Sequence, residues 1–165
     1  MGFNYTSDAQ LFHTFFVNEL CATIDNLTGD HQFNIIDFSG SARSWKPKLV
    51  IANDANKKEA IQHLKNLRPW GGTNLSASLQ KAFDMKDVQQ VYLMTDGDPT
   101  QGITLKSAIV DWVVEMNRTR RIRFHTIVAG DVDGSFLAEI AQLNRGTNVD
   151  LRPSFTPDEK EDKAK

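Results

Sequence analysis

Between residues 88 and 130 the chain reads strand, helix, strand. VQQVYLM (88–94) is apolar and extended, and IRFHTIVAG (122–130) matches it. Between them Leu105, Ala108, Ile109, Trp112, Val113 and Met116 mark one face of a helix over 104–119. Two strands joined by a crossover helix pair in parallel, and a parallel sheet needs cover on both faces. The remaining segments can supply that cover. Leu11, Phe12, Phe15, Phe16, Leu20, Ile24 and Leu27 recur at helical spacing over 8–27, behind Ser7 or Asp8 as N-cap and ahead of Gly29. Further helices are expected at 56–67, 75–83 and 135–144, the last closed by Gly146. Short strands are expected at 33–38, 45–51 and 148–151, with Pro47 placing the second at a sheet edge. The expectation is an α/β, three-layer, Rossmann-like fold with a mostly parallel sheet and one short antiparallel edge strand. Residues 1–153 are expected to make one domain, and 154–165, SFTPDEKEDKAK, a disordered polar tail.

Composition narrows the function. The 165 residues carry a net charge of −2, which gives no electrostatic case for nucleic acid or an anionic membrane. A single cysteine, Cys21, excludes an internal disulfide framework and a cysteine-based zinc site. His13, His31, His63 and His125 lack zinc spacing, and His125 reads as structural within its strand. No apolar run is long enough to span a membrane and no signal peptide opens the chain, so compartment stays open. MGFNYT fits the loose myristoylation pattern through Gly2 and Thr6. Asn4, Asn26, Asn74 and Asn117 fit the glycosylation sequon. Arg118, Arg120, Arg121 and Arg123 form the densest basic cluster and read as a solvated face at a helix end.

In parallel α/β sheets ligands bind at the carboxyl ends of the strands. There YLMTDGDPTQG places Asp96 directly after an apolar strand, followed by Gly97 and Asp98. A carboxylate so placed can hold a hard cation, and Asp, Gly and Pro also simply build turns. WGGTNLSASL places Thr73 just before a helix; its hydroxyl can be an N-cap or a Mg²⁺ ligand.

FNIIDFSGSARSW, LRPWGGTNLSASLQKAF, VYLMTDGDPTQG and HTIVAGDVDGSFLAEIAQLNRG together resemble a von Willebrand factor A domain of the inter-alpha-trypsin inhibitor heavy-chain and bacterial type, over nearly all of 8–151. The resemblance implies a protein–protein interaction module with a metal-ion-dependent adhesion site for Mg²⁺. That site uses D-x-S-x-S after the first strand, a threonine and an aspartate; Thr73 and Asp96 match the last two. Gly72 and Gly97 would shape the loops, and Asn74 and Asp98 line the rim. A protein partner's carboxylate would complete the metal shell.

Asp37-Phe-Ser-Gly-Ser spells the first motif but stands one strand too late, after the long helix rather than before it. It reads as a strand end and a turn, with a site rebuilt on Asp37, Ser39 or Ser41 as the alternative. The resemblance therefore implies that the central first strand and its motif are absent, with Met1 falling just after them. Losing about four buried aliphatic side chains at roughly 1.5–3 kcal/mol each would take away most of a domain's net stability of about 5–15 kcal/mol. Such a chain is expected to be marginal, to self-associate through unpaired sheet edges, or to be completed by a strand from elsewhere. Mg²⁺ binding by Thr73 and Asp96 alone is expected to be weak or absent.

Two other readings compete. One is a metal-independent structural or scaffold fragment. The other is a haloacid-dehalogenase-like phosphatase with Asp96 as nucleophile, Asp98 as acid/base and Asp131 and Asp133 as the later acidic motif. Spacing opposes the latter, because one helix alone fits between Thr100 and Ile122. The expected protein is not an enzyme.

Overall fold

The computed structural model of the chain describes residues 5–68, 71–129 and 132–151. Its best-formed part is the expected parallel unit: β5 (Gln90–Thr95), α4 (Lys106–Arg120), β6 (Arg123–Val128), α5 (Ser135–Leu143) and β7 (Asn148–Asp150). β5 pairs in parallel with β6, Gln90 opposite Arg123 through Thr95 opposite Val128, and β6 pairs in parallel with β7. Side chains alternate along a strand, so Leu93 and Thr95 on β5 share a face with Phe124, Thr126 and Val128 on β6, and all five are buried. Leu93, Phe124 and Val128 join Leu79 and Phe83 of α3 (Leu75–Asp84), Ile109 and Val113 of α4, and Leu137 and Ile140 of α5 in one core.

Two polar devices lock this core. Asn117 is buried near the end of α4; its amide donates to the Ile122 carbonyl at 2.6 Å and to Asn144 Oδ1 at 2.7 Å, while its Oδ1 accepts from Ile122 N–H at 2.7 Å. It turns the chain from α4 into β6 and ties that turn to the end of α5. A sequon therefore lies here in the folded interior. Arg120 was expected on a solvated basic face. Instead its guanidinium donates to the Phe83 and Met85 carbonyls, satisfying acceptors that the end of α3 leaves open.

The other half is antiparallel and less regular. β1 (Gln32–Phe33) pairs with β4 (Val50–Ile51), and β2 (Ile36–Phe38) forms a hairpin with β3 (Ala42–Ser44). The single strand expected at 33–38 is split at Asn34. That side chain takes the ladder's place: Oδ1 accepts from Ile35 and Lys46 N–H, and the amide donates to the Lys46 and Lys48 carbonyls. The extended piece expected at 45–51 likewise breaks around Pro47, leaving β3 and β4 in different pairings. α1 (Tyr5–Asp25) and α2 (Asp54–Asn66) cover this half through Val17, Ile24, Ala60 and Leu64. Asn53 caps α2 by accepting from Asn56 N–H at 2.9 Å. Cys21 is half-buried against this smaller cluster, and burial pushes its thiol pKa up.

The fold is thus α/β with a parallel sheet, as expected. The strands form three hydrogen-bonded groups instead of one sheet, so β2 and β5 share no ladder among the described residues. The tail 154–165 and Gly2 lie outside the described residues, as does Asp131. No described helix is long and apolar enough to cross a membrane.

Candidate functional site

Three loops meet at the carboxyl end of β5, and Asn74 is the knot between two of them. It caps α3, its Oδ1 accepting from Ala77 N–H at 3.0 Å. Its own N–H donates to the Ser39 carbonyl at 2.7 Å, and its amide to the Gly40 carbonyl at 3.2 Å. The third loop docks on Thr73. The Thr73 carbonyl accepts from Thr100 N–H at 2.9 Å and Gln101 N–H at 3.2 Å, and Thr73 N–H donates to Thr100 Oγ1 at 2.8 Å.

This packing leaves room for backbone and little more. A Cβ at Gly72 would lie 2.8 Å from Thr100 Oγ1 and 2.7 Å from Gln101 Nε2. Gly71 stands at φ 81°, the left-handed region that glycine enters without a Cβ penalty. A Cβ at Gly97 would sit 3.3 Å from Thr73 Oγ1, so the Thr73 hydroxyl faces the residue next to Asp96. Thr95 folds the start of that loop, its hydroxyl donating to the Gly97 carbonyl at 3.0 Å.

The sequence-derived candidates separate into three groups. The Thr73 hydroxyl and the exposed Asp96 carboxylate make no hydrogen bond or ion pair with any described residue. Asn74 and Asp98, expected at the rim, are committed within the chain. Asn74 braces the loops, and Asp98 meets Lys106 Nζ at 2.9 Å. Asp37 is engaged elsewhere: its carboxylate meets Arg43 at 3.2 Å and His63 Nε2 at 3.2 Å. Ser39 and Ser41 form the hairpin turn, Ser39 N–H donating to the Ser41 carbonyl at 2.8 Å. The Ser39–Ser41 backbone thus touches the Thr73 loop while the Asp37 carboxylate is spent on Arg43 and His63.

Thr100, Gln101 and Lys106 were not singled out from the sequence, yet they build the site. Lys106 carried a legible signal. It is the first residue of α4, where the helix dipole disfavours a cation. It is held there by Asp98 and by Asp133 at 3.3 Å, with its ammonium 5.6 Å from the centre of the Phe136 ring. The Asp98 hydrogen bond is the leading cause that raises its pKa. The Asp133 pKa is lowered first by the Ser135 side chain, then by Ser135 N–H, then by Lys106.

As a cation site, the two free oxygen donors suit Mg²⁺ in kind. They supply a fraction of its octahedral shell, so water or further ligands would fill the rest. The described residues contain no group of three or more His, Cys, Asp or Glu placed to hold a metal.

Comparison with known proteins agrees with this architecture. Inter alpha-trypsin inhibitor heavy chain 4 of Mus musculus is 32% identical over 139 residues, which is 77% of this chain and 15% of that protein. Human von Willebrand factor A domain-containing protein 3A is 32% identical over 117 residues, 69% of this chain and 10% of its own length. The chain therefore spans a small part of these relatives. Among solved structures, a von Willebrand factor type A protein from Catenulispora acidiphila superposes with a TM-score of 0.75 at 20% identity, covering 85% of this chain and 34% of that one. An aerotolerance-related membrane protein from Bacteroides fragilis gives 0.65 at 16% identity, covering 86% and 82%. The sequence pattern of the von Willebrand factor type A domain matches residues 4–150, and with the parallel βαβ core and the loop cluster in place, the chain belongs to that family.

Proposed function

We propose that the chain is a protein-interaction module whose contact centre is the loop cluster at the carboxyl end of β5. The supporting observation is the pair of uncommitted oxygen donors, Thr73 Oγ1 and the Asp96 carboxylate, on loops whose backbones are bonded to one another. In this reading Mg²⁺ is held by Thr73 and Asp96, directly or through water, and a carboxylate of a protein partner completes the shell. Gly72 and Gly97 keep the loops low enough for that approach, and Asn74 and Asp98 hold them in place. No chemistry is required of the site beyond binding, so the module is read as non-enzymatic.

With two protein donors the affinity is expected at millimolar level or weaker. The test is a Mg²⁺ titration of the ¹⁵N-labelled chain, followed at the Thr73 and Asp96 amides. Saturable shifts that vanish in Asp96→Asn support the reading. Identical shifts in that variant overturn it and favour a metal-independent scaffold.

The same reading takes residues 1–153 as one domain with a place for one more strand between β2 and β5. In support, β2 pairs with β3 alone and β5 with β6 alone among the described residues. The ends of β2 and β5 are nevertheless joined through the Thr73–Asn74 backbone. Two open edges of this kind also support association between copies. Sedimentation equilibrium checks it: a concentration-independent monomer would remove self-association from the reading.

A further inference from the structure

Thr73 and Asp96 stand on different loops, so what they hold together depends on how one loop is fixed against the other. Two anchors bound the stretch that carries Asp96. On one side the Thr95 hydroxyl donates to the Gly97 carbonyl at 3.0 Å, and on the other Thr100 N–H donates to the Thr73 carbonyl at 2.9 Å. Between them the Asp98 side chain has one partner among the described residues, the Lys106 ammonium at 2.9 Å.

Lys106 stands on a base that belongs to the Thr73 side. Ser76, in the first turn of α3, donates to Asn74 Oδ1 at 3.0 Å and accepts from Ile103 N–H at 3.1 Å, which ties the approach to α4 to the Thr73 loop. The next residues of α4 to turn inward, Ile109 and Val110, are buried in the core. From this base the Lys106 ammonium reaches past the buried Phe136 ring, 5.6 Å from its centre, to Asp98 and to Asp133 at 3.3 Å. Asp133 is itself fixed by Ser135 N–H at 3.2 Å. A cation in the first turn works against the helix dipole, and this helix start has no side-chain cap to offset it. A local conflict of this kind marks a task set elsewhere in the fold. Ion pairs this exposed add little to global stability, so the task is a local one.

We propose that Lys106 is the positioning residue of the Asp96 loop: through Asp98 it fixes residues 96–98 against the frame that carries Thr73, and so sets where the Asp96 carboxylate stands relative to the Thr73 hydroxyl. The inference rests on the reading of Thr73 and Asp96 as the contact centre. Lys106 bonds neither of them and acts through Asp98.

The test is backbone ¹⁵N relaxation of the full metal-free chain, followed by a Mg²⁺ titration. Lys106→Met keeps an apolar stem and removes the charge. Order parameters at Asp96, Gly97 and Asp98 are expected to fall from about 0.85 to below about 0.6, with Thr100 and Gln101 unchanged. Asp98→Ala should reproduce that fall, the double variant should add nothing to it, and Lys106→Arg should prevent it. Unchanged order in Lys106→Met would overturn the proposal, as would a fall that Asp98→Ala does not share. The titration then carries the sign. Removing a positive charge by itself strengthens cation binding, so a Kd at the Asp96 amide that rises roughly threefold or more in Lys106→Met reports lost positioning. A Kd that falls would overturn the proposal and make Lys106 a counter-charge. A parent chain with no Asp96-dependent Mg²⁺ response would overturn the contact-centre reading, while the loop order, measured without metal, still decides the role of Lys106.

Discussion

The two halves of this molecule use similar residues and reach different solidity. In the parallel half, strands feed helices that fold back over them, and residues from α3, α4, α5, β5 and β6 close one core. In the antiparallel half, strands of two or three residues are held by side-chain bonds from Asn34 and by a cluster of Val17, Ile24, Ala60 and Leu64 between helices. Strand length is the root of the contrast. A six-residue strand such as β5 or β6 presents three side chains to one face. A two-residue strand presents one, so its stability comes from what lies beside it. The loop cluster stands where the halves meet, the 39–41 turn from one side and the 95–102 loop from the other.

The largest expected effect comes from the tightest place. A Cβ at Gly146 would land on the Phe124 carbonyl, in the backbone that joins α5 to β7 alongside β6. Gly146→Ala is expected to destabilise by more than about 3 kcal/mol in urea unfolding, since backbone cannot move aside as a flexible side chain can. Gly29→Ala, in the antiparallel half, meets open space and should be within about 0.5 kcal/mol of the parent. Equal effects would break the contrast between the halves.

Next come core truncations. Leu137 and Leu64 are both fully buried. Each Leu→Ala change is expected to cost about 2–5 kcal/mol. The sharper measurement is hydrogen exchange. Leu64→Ala should raise exchange in α1 and α2 while β5 and β6 stay protected, whereas Leu137→Ala should raise it everywhere. Uniform exchange in both variants would mean one cooperative unit.

Asn117→Ala tests the polar lock. It strands the Ile122 N–H and carbonyl in a buried site and removes a bond to Asn144, an expected loss of about 2–3 kcal/mol. Asn34→Ala removes more bonds, but in a more open setting where water can replace them, with an expected loss of about 1 kcal/mol. Thermal unfolding of the pair ranks them.

How far these features could be read in the sequence follows the same division. Periodicity placed the parallel half, because Ala108 through Met116 and the strand at 122–130 repeat as buried elements must, while Leu105, expected on the same helix face, stands exposed just before α4. It joined β1 to β2, because FNIID is uniformly apolar around Asn34, and nothing in the local pattern says that this one amide will replace a ladder. Asn117 read as a sequon and Arg120 as part of a solvated cluster for the same reason: their partners, Asn144 and the end of α3, are far along the chain. The position of Thr73 and Asp96 beside the end of β5 could be read because strand ends and glycine-rich turns announce themselves; their role as ligands stays the proposal made above. Thr100 and Gln101 were not legible, since their role is to bond the Thr73 backbone 27 and 28 residues back along the chain. Lys106 sat in the open as a cation at a helix start, a local conflict that marks a partner to be found.

The smallest expected effect is a pH dependence confined to the parallel half. His125 on β6 stacks on Tyr92, ring centres 4.7 Å apart, and its Nδ1 lies 2.8 Å from Thr147 Oγ1. Its Nε2 is buried with no partner among the described residues. Burial first, and Arg123 second, lower its pKa below the ordinary 6.5. The unfolded chain therefore takes up a proton on this residue at a pH where the folded chain resists it. The contribution to stability is fully present above pH 6.5 and is lost as pH falls from 6.5 through the lower folded value. Protection factors of the β5 and β6 amides, taken relative to the intrinsic exchange rate at each pH, should accordingly fall on acidification through that window, and His125→Gln, which keeps a polar planar side chain without a titrating proton, should flatten the slope. An unchanged slope in the variant would place the pH sensitivity in other groups. A slope of opposite sign would mean that the stacked ring favours the charged form, and that Tyr92 rather than burial governs this face of the sheet.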